Sequence, residues 1–566
     1  MPGTTPPVLE GAPTDKQKKY DRQLRLWAAS GQQALEEAHV LLINAGPGAA
    51  GVETLKNLIL PGIGKCTIHD DCKVQDADLG VNFFLEQSNI GGSRGDFLKN
   101  NLQELNPDVD VNWIWDPLED LLAKHDALKP YTLIIVVPPV HPNSLSKISQ
   151  HCQATDTPLI YLHSVGFYSH FTMQLPYAFP IVDTHPDPET TTDLRLLKPW
   201  PELSALVEQK TRGLEAMDNE DHGHVPYVLL LLHYIEVWKL SHDGKPPQTY
   251  KEKNEFKQLV SAEGRFSQPE GEENYEQAIA AVLKNFNYPE PSSAVKEVFK
   301  SPECQNITVS SANFWIIANA ISQFYGTNGV LPLPGSVPDM KAKSADYIQL
   351  QTVYKEKARS DVATVLGLVR DLEQELGRPQ PIEEREVEAF CKNAAHIKLV
   401  RGRPLQVIRP GENVEWGVQA KSAVNKLSDP DSLIGLYIAF LAYDVFCANH
   451  SSHGIGARAH EPTEDGVDLD WNSEEMAETM YKIIDVLIKE SGRTLEEDEL
   501  EEIKSRSSKF VAEIVRAAGG ELHNIAALTG GLVAQEAIKI ITKQYVPVDN
   551  TCLFDGVFSK TSVIRV

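Results

Sequence analysis

The stretch from His39 to Asp71, HVLLINAGPGAAGVETLKNLILPGIGKCTIHDD, admits few folds. His39–Asn44 is rich in branched apolar residues and leucine, the composition of a strand buried in a parallel sheet. Gly46, Gly48 and Gly51 follow as G-x-G-x-x-G where that strand must turn into a helix. Such glycines permit a tight turn and let backbone N–H groups approach a phosphate at the positive end of the helix. Val52, Leu55, Leu58 and Ile59 give the helix one apolar side, and Pro61-Gly62 ends it. A second strand, Cys66–His69, leads into Asp70 and Asp71. Asp70 stands 19 residues after Gly51, about the separation at which a carboxylate holds a nucleotide ribose. The unit predicts a nucleotide-type β-α-β fold, with Gly46, Gly48, Gly51 and Asp70 as its candidate site.

The surrounding pattern extends this unit into a sheet. Ser93–Leu105 and Asn143–Thr155 read as helices, and Asp110–Trp115, Tyr131–Val137 and Pro158–Ser164 as strands. This alternation predicts an α/β, doubly wound parallel sheet. Phe167–Leu175 alternates apolar and polar residues and adds an antiparallel element. From Pro176 to about Gly520 the pattern is mostly helical. Helices are expected at Tyr227–Leu240, Tyr275–Phe286, Ser311–Tyr325 (capped by Gly326), Ala345–Leu368, Ser432–Ala448, Glu474–Lys489 and Thr494–Ala518. The last opens with Thr494 and Glu497 in capping-box spacing. Linkers fall at Gly264–Glu273, Leu331–Pro338 and Ser451–Asp470, the last a candidate mobile loop. Asn524–Ile541 is an apolar helix with Gly530-Gly531 on a small-residue face. Tyr545–Phe554 and Ser559–Arg565 form a strand pair too short to fold alone, so they complete the sheet begun at His39. The expected division is therefore 1–15, a disordered tail; 16–175, the first part of the α/β domain; 176–520, a helical insertion; and 521–566, the end of the α/β domain.

Ahead of the glycine unit, Lys16–Trp27 reads as a short amphipathic helix, with Tyr20, Leu24 and Trp27 at helical spacing. Arg22 and Arg25 lie three apart on one side, which by itself describes a solvated basic face. The net charge of −26 over 566 residues argues against nucleic acid or an anionic membrane as a partner. The seven cysteines are scattered without a C-x-x-C, which argues against a zinc clip or a disulfide framework and for a reducing compartment. No signal peptide is visible, and the longest apolar run, Val225–Leu232, is too short to span a bilayer. A soluble intracellular protein is expected, in the cytoplasm and nucleus. Cys152, Cys391 and Cys447 sit in helical patterns that predict buried thiols. His222, His224 and His233 lack metal-ligand spacing, so no metal site is assigned.

The glycine motif in this context leaves two classes open, a dinucleotide oxidoreductase and an enzyme that adenylates the C-termini of ubiquitin-like proteins. Further residues carry a resemblance. Tyr20-Asp21-Arg22-Gln23-Leu24-Arg25-Leu26-Trp27 resembles the entry helix of ubiquitin-type activating enzymes. Leu55-Lys56-Asn57-Leu58 with Pro61-Gly62-Ile63-Gly64 resembles their turn before the second strand, and Gly530-Gly531 with Ala534-Gln535-Glu536 and Lys539 their C-terminal crossover helix. Asp183–Asp187 with Asp193-Leu194-Arg195, Thr249–Lys253, and Val337–Met340 with Tyr347–Gln351 are similar to the regulatory subunits of the neddylation-activating enzymes. The resemblance covers the chain after Thr14. It implies a Rossmann-like, ThiF/MoeB-type adenylation fold, degenerate, with a large insertion similar to a catalytic-cysteine half-domain that lacks the cysteine.

The same resemblance implies incomplete chemistry. Attack of a carboxylate on ATP needs cations to offset charge on the triphosphate and the departing pyrophosphate. Gly80-Val81-Asn82 stands where active members carry Asn-Arg-Gln, Arg94 where they carry a lysine, and Val136–Val140 offers no carboxylate for magnesium. Gly46, Gly48, Gly51 and Asp70 then read as a degenerate nucleotide site that holds strand against helix. No cofactor is expected on this chain alone; ATP and magnesium are expected in a catalytic partner subunit. By resemblance Arg22 reaches that partner's ATP in trans, with Arg25 a secondary candidate. The implied partners are the catalytic subunit, the Nedd modifier and, through the complex, a conjugating enzyme. A SUMO-type regulatory subunit is the nearest alternative, disfavoured by an insertion of more than 300 residues. An NAD-dependent oxidoreductase and a pure adaptor are the alternatives from other classes.

Overall fold

The computed structural model describes residues 14–187, 190–266, 272–286, 288–450 and 473–566. Of the expected tail 1–15, residues 1–13 lie outside the described residues, as does the loop at 451–470, while Thr14 and Asp15 cap and open the first helix instead. The chain divides into two units, one formed by Met1–Phe179 with Val400–Val566, the other by Pro180–Leu399.

The first unit contains the sheet. Its strands are β1 (His39–Asn44), β2 (Lys65–His69), β3 (Asp110–Ile114), β4 (Leu133–Val137), β5 (Leu159–Val165) and β6 (Tyr168–Gln174). β7 (Phe179–Val182) and β8 (Ile397–Val400) form a separate two-stranded sheet where the chain enters and leaves the second unit. β9 (Thr551–Asp555) and β10 (Lys560–Ile564) return to the main sheet. Its order is β10-β9-β6-β5-β4-β1-β2-β3. β3, β2, β1, β4 and β5 run parallel, and β6, β9 and β10 add antiparallel pairs. The C-terminal strands thus extend the sheet begun at His39, as their shortness requires. β1 is the middle one of the five parallel strands, with Leu42 level with Ile68 on one side and Ile135 on the other. Every residue of β4 is buried, which is why these strands read as unbroken apolar runs.

The helices of the N-terminal half are α1 (Asp15–Lys19), α2 (Asp21–Glu37), α3 (Ala49–Ile59), α4 (Asp76–Leu79), α5 (Arg94–Leu105), α6 (Leu118–Ala123) and α7 (Pro142–Ala154). The crossover helix His523–Thr542 packs on α3. Gly530 permits that approach, since a Cβ there would lie 2.7 Å from the Glu53 Cβ and 2.8 Å from the Thr54 nitrogen. Gly531 faces open space, so only one of the two expected packing glycines is needed. Among the described residues, this helix alone is long and apolar enough to cross a membrane. Its Ile525, Val533, Ala537 and Ile540 are buried in the first unit instead.

The division expected at 176–520 differs from the observed one. Helices Ala420–Ser428, Ile434–His450, Ser473–Ser491 and Glu497–Ala517 share a core with Val165, Tyr168, Leu553 and Ile564 of the sheet. Ile434–His450 is apolar nearly all round and needs cover on every side, which neighbouring helices and the sheet provide together. Residues 400–520 therefore belong to the α/β unit, and the separate helical unit is Pro180–Leu399. Its core gathers Leu203, Val228, Leu231, Phe256, Tyr275, Leu350 and Tyr354.

Three helix ends also differ from expectation. Asn313–Asn328 continues past Gly326 and ends at Gly329, whose φ of +64° suits the left-handed turn. Ser344–Leu376 outruns its expected end and stops at Gly377, φ +66°. The Thr494 capping box does not form, because the helix starts at Glu497 with Glu496 before it.

Candidate functional site

The glycine turn lies between β1 and α3, where the nucleotide motif requires it. Its three glycines are explained by contacts within the chain. A Cβ on Gly46 would collide with the Pro138 carbonyl oxygen, and one on Gly48, φ +79°, with the Asn44 side chain. At Gly51 it would meet Asn44, Leu42 and Val137, each at 3.0 Å.

The space over this turn is filled by two charged side chains. Arg94 opens α5 after Ser93, whose hydroxyl accepts from the Asp96 N–H at 3.4 Å. Its guanidinium is fully buried. Nε donates to Asp70 Oδ2 at 2.7 Å, Nη1 to the Pro47 carbonyl at 3.0 Å, and Nη2 to the Gly46 carbonyl at 2.9 Å and the Asn44 carbonyl at 3.3 Å. Asp78 of α4 adds a longer contact at 3.5 Å. Burial opposes the guanidinium charge, but Asp70, with Cys72 and Asp78 beside it, more than offsets this, so Arg94 titrates above its ordinary value. Asp70 also accepts from Asn44 Nδ2 at 2.8 Å and the Cys72 N–H at 3.1 Å. Both carboxylate oxygens are thus engaged by the protein, and the carboxylate placed for a ribose holds the turn together. Arg94 points into the turn rather than out toward a triphosphate.

The second side chain is Glu521, which the sequence pattern did not single out. Its carboxylate accepts from the Ala49 N–H at 2.6 Å and the Ala50 N–H at 3.1 Å. These are among the first amides of α3, the groups that take a phosphate in a working glycine loop. Burial pushes the Glu521 carboxyl up to about 7, against the pull of these two amides and of Arg94. Glu521 lies 472 residues from Ala49, so no local pattern could pair them. Nearby, Asn82 is buried with Oδ1 accepting from the Phe84 N–H at 3.1 Å, and Phe83 stacks on His523 at 3.6 Å between ring centres.

The end of β4 is Val136 and Val137, both buried, followed by two prolines. Among the described residues no three His, Cys, Asp or Glu side chains gather to hold a metal. His222 instead meets Glu272 at 2.7 Å and the Tyr275 hydroxyl at 3.0 Å in a buried network.

The entry helix has the opposite character. The expected helix over 16–27 is the start of a longer element: α1 is closed by a Thr14–Gln17 capping box, and α2 runs to Glu37 with a break at Trp27 and Ala28. Ala28 there has φ +57°, and the freed Trp27 carbonyl accepts from Gln544 Nε2 at 2.9 Å. Trp27 is buried, its Nε1–H donating to Gln32 at 3.3 Å. Tyr20 is buried too, and its hydroxyl accepts from Asn106 Nδ2 at 2.9 Å. With Tyr20 and Trp27 turned inward, Arg22, Arg25 and Leu26 face out. Arg25 pairs with Asp21 at 2.9 Å. Arg22 has no hydrogen bond or ion pair among the described residues. It lines a surface pocket of about 430 Å³ with Lys18, Lys19, Asp21, Gln23 and Leu26. The structure therefore separates the two arginines: Arg25 is committed to its own helix, and Arg22 is available.

The cysteines are buried except Cys447, which is half-buried. Burial pushes the thiols of Cys66, Cys152, Cys304, Cys391 and Cys447 up to about 12 and that of Cys552 to about 11. A thiol held there is a poor nucleophile near neutral pH.

Comparison with known proteins agrees with this geometry. The ThiF family model matches residues 20–566. The NEDD8-activating enzyme E1 regulatory subunit of Xenopus laevis is 34% identical over 561 residues, covering 97% of this chain and 99% of that relative. The protein of the same name from Danio rerio is 36% identical over 560 residues, covering 97% and 98%. That from Drosophila melanogaster is 33% identical over 560 residues, covering 98% of each. The chain belongs to the ThiF family, in the branch of the NEDD8-activating enzyme E1 regulatory subunits.

Proposed function

We propose that this chain is the regulatory, catalytically incomplete half of a two-chain activating enzyme for the Nedd ubiquitin-like modifier, upstream of cullin modification. A catalytic partner subunit holds ATP and magnesium and carries the thioester-forming cysteine. This chain supplies Arg22 to the partner's nucleotide in trans and part of the wall around the modifier. The modifier and, through the complex, a conjugating enzyme are its further partners, in the cytoplasm and nucleus.

One contrast carries the reading. The glycine turn of this chain is filled by Arg94 and Glu521, whereas Arg22 is exposed and unpaired among the described residues. Adenylation spreads negative charge over the triphosphate, and an added guanidinium stabilises it only if that guanidinium is not already satisfied. Arg22 meets this condition; Arg25, paired with Asp21, meets it less well. The oxidoreductase alternative loses support because Glu521 and Arg94 already use the amides and the carboxylate that a dinucleotide would need.

The test is ATP–pyrophosphate exchange with the Nedd modifier. The chain alone gives no exchange. With the catalytic subunit, exchange appears, and Arg22→Ala lowers it about tenfold or more, roughly 1.4 kcal/mol of transition-state stabilisation. Exchange by this chain alone overturns the incomplete-site reading. A normal rate with Arg22→Ala in the complex favours a pure adaptor.

A further inference from the structure

In a working glycine loop, the first amides of the helix are left open for an anion to enter. Here they are not open. The Glu521 carboxylate lies against Ala49 and Ala50, one oxygen to each N–H, and its side chain is removed from solvent. The backbone on either side fixes it there. The helix Glu497–Ala517 ends in two successive left-handed residues, Ala518 at φ +48° and Gly519 at φ +74°, which turn the chain back. The Gly520 carbonyl then accepts from the Gly166 N–H at 2.8 Å, and Glu521 forms a bridge with Gly166 at the β5–β6 turn. That turn is held from the other side, where Glu513 accepts from the Phe167 N–H at 3.1 Å. Glu521 is thus delivered by the sheet and aimed at α3, while Asn44 Oδ1, packed under Gly48 and Gly51, is buried without a partner.

We propose that Glu521 is a built-in ligand of the glycine turn: its carboxylate takes the place of a phosphate-type anion on Ala49 and Ala50, closing the site from within, and removing it uncovers a cradle for inorganic phosphate. The chemistry matches, because a carboxyl oxygen and a phosphate oxygen both accept from the same pair of amides at the positive end of the helix. Arg94 does not provide this closure. It lies on the carbonyl side of the same turn and is consumed by Asp70 and the carbonyls of Asn44, Gly46 and Pro47. The inference stands apart from the role of Arg22, since phosphate binding to this turn needs neither the partner subunit nor ATP.

The experiment uses the full chain with inorganic phosphate as the probe, measured by calorimetric titration. The Glu521→Ala variant binds phosphate saturably and at least tenfold more tightly than the unaltered chain. Glu521→Gln fills the same space without the second acceptor oxygen, so it holds the two amides less firmly but stays phosphate-blind. Binding by the unaltered chain as tight as by Glu521→Ala, or no binding by a folded Glu521→Ala, overturns the proposal. If Glu521→Ala does not fold, hydrogen exchange in Glu521→Gln decides. Faster exchange across residues 48–51 than in the unaltered chain supports a carboxylate ligand there, and unchanged exchange refutes it.

Discussion

Replacing Arg94 with alanine tests whether the glycine turn is a structural joint. Arg94 contributes an ion pair to the fully buried Asp70, a longer one to Asp78 and three hydrogen bonds to backbone carbonyls. Removing one partner of such a pair leaves the other as an uncompensated buried charge, at a cost of about 3–5 kcal/mol. The carbonyls of Asn44, Gly46 and Pro47 lose their charged donor as well, at about 1–3 kcal/mol for each that water does not reach. Asp70 keeps the Asn44 and Cys72 donors, which softens the loss. A net destabilisation of about 4 kcal/mol is expected from these terms. Arg94→Lys keeps a charge but loses the planar fork that reaches four acceptors at once, and is expected to cost about half as much. The assay is urea-dependent hydrogen exchange of the full chain, read on the segments of α3 and α5, since two units need not unfold in one transition. Asp70→Asn in the Arg94→Ala background recovers part of the loss, about 1–2 kcal/mol, because the nearer of the two buried carboxylates that faced Arg94 no longer carries a bare charge. A cost below about 1 kcal/mol for Arg94→Ala would refute the reasoning and return Arg94 to a role at a ligand.

Other expectations follow from the same geometry. Glu521 has its carboxyl moved from the usual 4.5 to about 7, so the folded chain binds its proton more tightly than the unfolded chain does. Its contribution is fully present below about pH 4.5 and is lost as pH rises through about 7, some 3 kcal/mol in all; in urea melts across that window, Glu521→Gln removes this slope, and a slope unchanged by the variant counts against the placement of Glu521. Iodoacetamide near pH 8 leaves Cys66, Cys152, Cys304, Cys391 and Cys552 unmodified in the folded chain, and rapid alkylation of Cys391 would contradict its burial. Gly530→Leu forces the crossover helix off Glu53 and Thr54 and lowers the melting temperature by several degrees, whereas Gly531→Ala, facing open space, has little effect; equal effects would contradict the close approach.

Much of the fold was legible from residue pattern. β4 is a continuous apolar run and β1 is one between His39 and Asn44, as suits strands buried on both faces, whereas the equally buried β6 keeps Ser169, His170, Thr172 and Gln174. The glycine turn and the strand–helix alternation of the first half are local features, and the return of the C-terminal strands was inferred from their being too short to fold alone. Asp70 shows where legibility ended. Its distance from the glycines matched a ribose ligand, but the same distance places it beside Arg94, and an ion pair with a buried guanidinium cannot be distinguished from a ligand contact by spacing. Arg25 ranked second to Arg22 in the sequence, with an ion pair inside its own helix as its other use. Their separation depends on Asp21 lying one turn before Arg25, which the helix then pairs.

The sequence by itself determined the strand–turn–helix core, the absence of a carboxylate after β4, and the helical character of the long middle region, because each depends on composition or on neighbours a few residues apart. Only the tertiary structure decided that residues 400–520 join the sheet, that Arg94 turns inward, and that Glu521 fills the amides of α3. These outcomes depend on burial shared between segments up to hundreds of residues apart: the free energy of placing a charge or an apolar helix is set by what surrounds it after folding, and no local stretch of sequence contains that surrounding.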